Sequence, residues 1–390
     1  MKIEAVDFWY LRMPVVEDIG DGSQDALLVR VSGGGQEGWG ECEAAPVTSI
    51  AAAYAPMSHE ACKPVLDGVI GATLDDPDDI LRLSRRQRRI CMDHLQAPHT
   101  WSGIEIALWD LLGKARSAPV WSLLGHRKVF PKRAYASVLF GASPQDTLQN
   151  ARQAVAAGFT AAKFGWGPFG TAGVEADRDH LLAAREGLGP EAMLLVDAGQ
   201  IFDRDVEAAA ERMAALEDVR AGWFEEPFGG ECHKQYAALK ARFPNVPIAG
   251  GEAAHSVEMA EHAMEFGRVD FIQIDTGRIG GIGPASAVAE MARQGGIQFV
   301  NHTFTSHLAL SASLQPFAGY EAFDLCEYPA NPKQLARDIS ASLQCDADGL
   351  ISASEKPGLG VDVDLAKLKK YLQQVEISVN GKILYSTPPI

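Results

Sequence analysis

Short apolar runs alternate with alanine-rich stretches of helical period between residues 133 and 327, as in ARQAVAAGFTAAKF, AERMAALEDVRAGWFEEP and AEMARQGGIQFVNH. Each of these segments joins an amphipathic helix to a short apolar strand. The pattern predicts strands at 133–140, 161–166, 193–199, 222–227, 248–252, 271–276, 297–302 and 321–327. Eight strands separated by helices predict an α/β fold with a closed parallel barrel, whose functional groups stand at the carboxyl ends of its strands.

The flanking regions have a different texture. Residues 3–14 read as a strand and residues 26–42 as a hairpin, in which Leu28, Arg30 and Ser32 alternate before Gly33-Gly34-Gly35 and the second strand ends at Glu41. The polar stretch 17–24 and the mixed stretch 44–57 lack periodicity and read as loops. Helical spacing returns between Trp101 and Lys114, where Ile104, Ala107, Leu108, Leu111 and Leu112 share one face. Ala118-Pro119 ends this helix, and WSLLG at 121–125 reads as a helical turn leading into the barrel. Beyond residue 350 come the PGLG turn at 357–360, a helix from about Asp364 to Gln374 and the hairpin signal Asn380-Gly381. A lone hairpin is only marginally stable in water, so it is expected to join the antiparallel sheet begun near residue 3. The organisation expected is a capping domain over 1–128, the barrel over 129–350 and a segment, 351–390, that returns to the capping domain.

A chain of 390 residues accommodates a barrel of about 250 residues and a second unit. Its 47% apolar and 22% charged residues are those of a soluble globular protein. The net charge of −16 argues against nucleic acid or an anionic membrane as partner. It does not exclude an anionic small molecule, because a bound metal and a lysine can reverse the field locally. Six cysteines without a CxxC pair read as buried thiols in a reducing compartment. With neither a leader pattern nor a long apolar stretch, a cytoplasmic location is expected.

The candidate chemistry lies at the strand ends. Asp197 in LLVDAG, Glu225 in GWFEEP and Glu252 in IAGGE each close an apolar run, about 25 to 30 residues apart, the length of one strand and one helix in a parallel barrel. They should converge. Carboxylates at about 4 Å repel by roughly 4 kcal/mol per pair at an effective dielectric near 20, so convergence calls for a cation. Hard oxygen ligands suggest Mg²⁺. The full set of strand-end groups reads Lys163, Asp197, Glu225, Glu252, Asp275, His302 and Glu327. Three acids for a metal with a lysine, an Asp and His pair and a further Glu suit removal of a proton next to a carboxylate, with Mg²⁺ stabilising the enediolate.

In these residues the chain resembles the enolase superfamily, in its mandelate racemase-like branch. The resemblance runs through IEIALWDLLGKARSAPVWSLLG, KFGWG, VDAG, WFEEP, GGE, QIDTGRIGG, VNH and PGLG, in that order. It implies a modified TIM barrel of (β/α)7β type under an α+β capping domain. It also implies Asp197, Glu225 and Glu252 as Mg²⁺ ligands, with Glu226 outside the ligand set. Lys163 would be the base on one face of the substrate, which requires bringing a lysine from about 10.4 to about 7 or 8, roughly 4 kcal/mol of electrostatic work. His302 would act from the opposite face, its tautomer fixed by Asp275, and Glu327 would hydrogen-bond the substrate carboxylate. Ala161 replaces a lysine that relatives carry two residues before Lys163, and Gly199 replaces a frequent asparagine. Trp166 and His255 are candidate substrate contacts. The expected partner is a small carboxylate. The expected reaction is dehydration of an aldonate or aldarate to a 2-keto-3-deoxy acid, with a racemase, epimerase or cycloisomerase as the other outcome of the same chemistry. Specificity is expected from the loops at 17–24 and 44–57, which in relatives fold over the barrel mouth, and homo-oligomers are frequent among relatives.

Overall fold

The alternating residues near the start of the chain form an antiparallel sheet of β1 (Ala5–Arg12), β2 (Asp25–Gly33) and β3 (Gln36–Cys42), in that order. The computed structural model describes residues 1–42 and 45–390. Gly34 and Gly35 take φ values of 58° and 76°, which lets β2 turn into β3 within two residues. Three helices pack beside this sheet: α1 (Pro46–Tyr54), α2 (Pro77–Ile90) and α3 (Ala97–Arg116). The contact between α3 and β3 is close because β3 is rich in glycine. A Cβ at Gly38 would stand 2.0 Å from the Ala107 carbonyl oxygen, and one at Gly40 2.1 Å from that of Gly103.

Helix α1 corrects the loop expected over 44–57, of which Ala44 lies outside the described residues. Pro46 opens the helix, the run of three alanines favours it, and Ile50, Ala52 and Ala53 are buried in the capping core. Tertiary burial outweighs a short pattern that shows no clear period.

The barrel strands are β4 (Lys132–Leu139), β5 (Ala161–Gly165), β6 (Met193–Asp197), β7 (Ala221–Glu225), β8 (Ile248–Gly250), β9 (Phe271–Ile274), β10 (Gln298–Asn301) and β11 (Leu325–Pro329). Their ladder is parallel and runs β10-β9-β8-β7-β6-β5-β4-β11, with the short β12 (Leu350–Ile351) antiparallel to β4. Eight parallel strands thus form the nearly closed barrel of a mixed α/β chain. Tyr135, Ala161, Leu195, Trp223, Ala249, Val300 and Leu325 fill its interior. The larger apolar layer lies between the strands and the surrounding helices.

Strand β11 begins four residues later than the expected 321–327. The Phe323 carbonyl, inside the expected strand, and the Tyr320 carbonyl, just before it, each accept a hydrogen bond from buried Lys132 Nζ at 2.6 Å. The seam between β10 and β11 is joined by a side chain. Asn301 Oδ1 accepts the Glu327 N–H at 2.9 Å, and Asn301 Nδ2 donates to the Glu327 carbonyl at 3.2 Å.

The carboxyl-terminal segment departs from expectation twice. Only Leu365–Leu368 is α-helical, followed by a 3-10 turn at Lys369–Tyr371. The hairpin of β13 (Glu376–Val379) and β14 (Lys382–Ser386) remains a separate two-stranded sheet. It docks without extending the ladder, because the chain meets β1 just before the hairpin, at Leu372 beside Leu11 and through the Gln373 N–H on the Tyr10 carbonyl at 2.9 Å. Tyr385 then reaches the Phe8 carbonyl at 2.7 Å, and Trp9 donates to the Pro388 carbonyl at 3.1 Å. Ile282, Leu308, Leu335 and Leu359 join the same core, so the cap is packed on both the barrel and the chain end.

Two buried acids of α3 tie these parts together. Glu105 accepts from the Ile282 and Gly283 N–H groups at 2.7 and 2.9 Å, at the start of a barrel helix, and from the Trp109 indole at 2.8 Å. Asp110 accepts from the Trp39 N–H and from the Leu359 N–H of the PGLG turn, each at 2.8 Å. Among the described residues the cysteines form no disulfide; Cys62 and Cys345 are only half-buried, the other four buried as expected. Among the described residues no helix is long and apolar enough to cross a membrane.

Replacing Asn301 by Ala leaves the buried Glu327 N–H without its side-chain acceptor and the Glu327 carbonyl with only the Cys326 thiol at 3.3 Å, so a loss of about 1–3 kcal/mol in unfolding free energy is expected by denaturant titration. A loss below measurement error would show that the seam does not depend on this side chain. Burial raises the Glu105 carboxyl from 4.5 to about 7, against the pull of its three donors. The folded state therefore binds the proton more tightly, and this group's contribution to stability falls as pH rises from 4.5 through about 7. Glu105→Gln should flatten the fall of Tm across that window, and an unchanged slope would reject the assignment.

Candidate active site at the barrel mouth

The inward-facing residues of successive strand ends converge as the barrel pattern predicts. Lys163 on β5 is buried, with Nζ 2.6 Å from Glu225 Oε1, 2.9 Å from Glu327 Oε1 and 3.7 Å from Asp197 Oδ2. The contact to Glu327 is an ion pair without hydrogen-bond alignment. Glu225 also accepts from Trp223 Nε1 at 2.8 Å, and Glu327 Oε2 accepts from the Thr303 N–H at 2.9 Å.

The other half of the mouth is built on β8, β9 and β10. Glu252, Asp275 and His302 stand just beyond the ends of these strands. His302 Nδ1 lies 2.7 Å from Asp275 Oδ2, and His302 Nε2 lies 3.1 Å from Glu252 Oε2. Arg278 donates to Glu252 at 3.0 Å, and its Nε lies 3.8 Å from Asp275. All seven candidate groups are therefore present in one constellation, with Lys163 at one side and His302 at the other.

Electrostatics follow from crowding acids in a buried site. Burial and the neighbouring acids push Asp197 up to about 6 despite Lys163, and hold Glu225 well above the usual carboxylate range. Burial disfavours a charged Lys163, but Glu225, Glu327 and Asp197 outweigh it and hold the ammonium well above the usual lysine range. That is the reverse of the lowering a base requires. For His302, burial is outweighed by Glu252, Glu327 and Asp275, giving about 10. Burial also opposes the ionisation of Glu252, yet His302 and Arg278 bring it down to about 2.

The donor set fits a hard divalent cation in type and charge: three carboxylates whose crowding costs free energy that positive charge relieves. It does not present a finished cage. Among the described residues, no group of three or more His, Cys, Asp or Glu is spaced to hold an ion. Asp197 Oδ2 and Glu225 Oε1 face Lys163, their other oxygens accept from the Gly199 N–H and Trp223 Nε1, and those of Glu252 face Arg278 and His302.

Glu226, with φ 36°, turns away from Lys163, and its carboxylate accepts from Gln200 Nε2 at 2.5 Å. The Gln200 amide is thus engaged there. Trp166 is 49% exposed and takes a left-handed φ of 58°. Its ring covers Gly20 and Gly199, where an added Cβ would come within 2.7 and 3.0 Å of it. The 17–24 segment consequently lies over the mouth. His255 stands apart from the reacting groups: its Nδ1 is 3.1 Å from His99 Nε2 of α3, beside a cavity of about 260 Å³ between cap and barrel. His307 begins the helix after His302 and accepts the Leu343 N–H at 3.1 Å.

Several contributors escape the sequence reading. Arg278 lies within QIDTGRIGG, where a cation three residues beyond an acid is a usable signal. Trp223 shares a strand face with Glu225, two residues away, so period-2 spacing could have found it. Thr303 contributes only its backbone, and Asn301 only its seam geometry, neither of which spacing reveals.

Comparison with known proteins places this arrangement in a family. Residues 146–367 match the family described as enolase C-terminal domain-like, and residues 4–125 match the mandelate racemase / muconate lactonizing enzyme N-terminal domain. The chain belongs to the enolase superfamily. Within this superfamily of enzymes it is similar to the D-galactarolactone cycloisomerase of Agrobacterium fabrum, 29% identical over 367 residues, covering 86% of this chain and 88% of that protein. It is 30% identical over 282 residues to the D-galactonate dehydratase of Variovorax paradoxus, covering 67% and 71%. The crystal structure of a predicted mandelate racemase from Rhodobacter sphaeroides shares 58% identity and superposes with a TM-score of 0.95 over the whole of both chains.

Proposed function

We propose that this enolase-superfamily enzyme is a Mg²⁺-dependent dehydratase of a sugar acid. The observation that carries the reading is a row of carboxylates with a proton carrier at each side, Lys163 beside Asp197 and Glu225, and His302 beside Glu252. Asp197, Glu225 and Glu252 would hold the ion. Bound there, Mg²⁺ supplies positive charge that offsets these acids and stabilises electron density gathering on the substrate carboxylate.

Lys163 Nζ takes the proton from the carbon next to the carboxylate. The electron pair of that C–H bond passes into an enediolate and then into a C=C bond as the C–O bond to the β-hydroxyl breaks. His302 Nε2 delivers a proton to the departing oxygen, which leaves as water, while Asp275 accepts from Nδ1 and fixes the ring. The enol tautomerises to a 2-keto-3-deoxy acid. Glu327, held by the Thr303 N–H, stands beside Lys163 where it can orient the substrate carboxylate.

A second reading keeps the same proton abstraction but ends in ring closure or inversion. It is favoured by the similarity to the cycloisomerase, which extends over more of the chain than that to the dehydratase. Incubation with aldonates and aldarates in D₂O separates the two, since a dehydratase forms α-keto acid and the alternatives isomerise the substrate without forming it. Lys163→Ala and His302→Asn should each lower turnover by about a hundredfold or more while retaining Mg²⁺-dependent thermal stabilisation. Chelation should abolish turnover, with Mg²⁺ restoring it, and Glu252→Gln should weaken the stabilisation by Mg²⁺. Full activity in both base variants, or Mg²⁺ stabilisation unaffected by Glu252→Gln, would refute the assignment.

A further inference from the structure

Three cationic side chains face the candidate metal ligands, and the reaction above gives no part to one of them, Arg278. Its place is fixed at both ends. The turn after β9 is closed by the Arg278 N–H on the Asp275 carbonyl at 3.2 Å and by the Gly277 N–H on Asp275 Oδ1 at 2.7 Å. From this turn the guanidinium reaches Glu252, with Nη1 donating to Oε1 at 3.0 Å, while Nε stands 3.8 Å from Asp275 Oδ2. The centroid of the Phe304 ring lies 5.9 Å from the guanidinium carbon, close enough for its face to attract the charge.

Lys163 and His302 also face these acids, but each gains and loses a proton in the proposed reaction, so their charge varies. A guanidinium stays charged at any pH the protein meets. Arg278 therefore sets a permanent positive charge against Glu252. The two side chains are only 17% and 16% exposed, so solvent and salt screen them weakly. For a cation that shares this carboxylate, Arg278 acts in two opposing ways. It occupies one oxygen and repels the ion, and it holds the Glu252 side chain in one rotamer. The second effect is worth at most the freedom of one side chain. His302 Nε2, 3.1 Å from Oε2, holds the same carboxylate by its other oxygen, so the orientation does not depend on Arg278 alone. Repulsion between a single and a double charge on one buried carboxylate is the larger effect.

We infer that Arg278 is a built-in counter-cation that competes with Mg²⁺ for Glu252 and sets how tightly the site holds the ion. The inference rests on the Mg²⁺ reading above and adds to it a residue that weakens the metal site while keeping its buried acid compensated.

The test is calorimetric titration of the full chain with Mg²⁺ alone, after chelation and dialysis. Arg278→Gln removes the charge and keeps an amide donor at the position, and it should tighten Mg²⁺ by at least about tenfold in Kd. Arg278→Lys keeps the charge and should stay within about threefold of the unaltered protein. A merely structural role would loosen the ion on substitution, so the direction of the change separates the two. If Arg278→Gln does not fold by circular dichroism, Arg278→Met makes the same change of charge and carries the same expectation. Equal or weaker Mg²⁺ binding by a folded neutral variant would overturn the inference while leaving the metal reading standing. So would a lysine variant that binds as tightly as the neutral one. Mg²⁺ binding by neither the unaltered protein nor the neutral variants would overturn the metal reading and this inference with it.

Discussion

Four acidic side chains and one ammonium group share the buried floor of the barrel mouth, and the rest of the molecule is arranged so that this costly cluster can exist. Lys163 is within ion-pair distance of Asp197, Glu225 and Glu327, while Glu252 is held by Arg278 and His302. A single buried carboxylate without partners is destabilising by several kcal/mol in its charged form. Here the acids outnumber the cations that face them directly, so any small redistribution of positive charge changes which groups keep protons. The site is therefore sensitive both to proton transfer and to added positive charge, because both act on the same excess of negative charge.

Maintaining that floor requires a wall that cannot spread. Seven of the eight barrel junctions are ordinary parallel ladders, but the junction between β10 and β11 is made by the Asn301 amide. This is the junction flanked by His302 and Glu327, so the side-chain bridge holds a histidine and an acid of the site at fixed separation. From outside, the capping domain adds its own acids to the same purpose. Glu105 secures the start of the helix that follows Arg278, and Glu41 accepts from Ser306 in the loop that follows His302. Cap and barrel are joined through buried hydrogen bonds to backbone or hydroxyl, which are directional, as well as through an apolar interface, which is not.

The barrel was legible because its information is local. Each strand is a short apolar run, each helix keeps its period, and an acid at the end of a run can only point toward the mouth or away from it. The same reasoning misplaces β11 by four residues, since Lys132 captures the Tyr320 and Phe323 carbonyls from nearly 190 residues away in sequence. It misses α1, whose nine residues owe their helix to burial in the core of the cap, overextends the helix after Asp364, and joins the last hairpin to a sheet from which it stays separate. At the site, residue identity and spacing indicate which groups converge but not which oxygen faces which cation. The pairing of Glu252 with both Arg278 and His302 is of that second kind, as is the position of Glu226, whose left-handed backbone turns it toward Gln200.

Ala161 shows how a departure from the relatives' pattern is absorbed. It lies two residues before Lys163 on the same face of β5, fully buried in the apolar plug with Leu195, Trp223 and Val300. A lysine at that point would place a second ammonium below Lys163, inside a layer that is here hydrocarbon and aromatic. With alanine there, Trp223 packs edge-on against Tyr135, with ring centroids 5.4 Å apart, and its indole N–H is free to donate to Glu225. The acids thus meet one neutral donor from this layer, and Lys163 is the ammonium that Asp197, Glu225 and Glu327 all face. With alanine rather than a second lysine at 161, the interaction with these acids falls on Lys163 alone; they hold its proton firmly, and its release calls for positive charge from outside the chain.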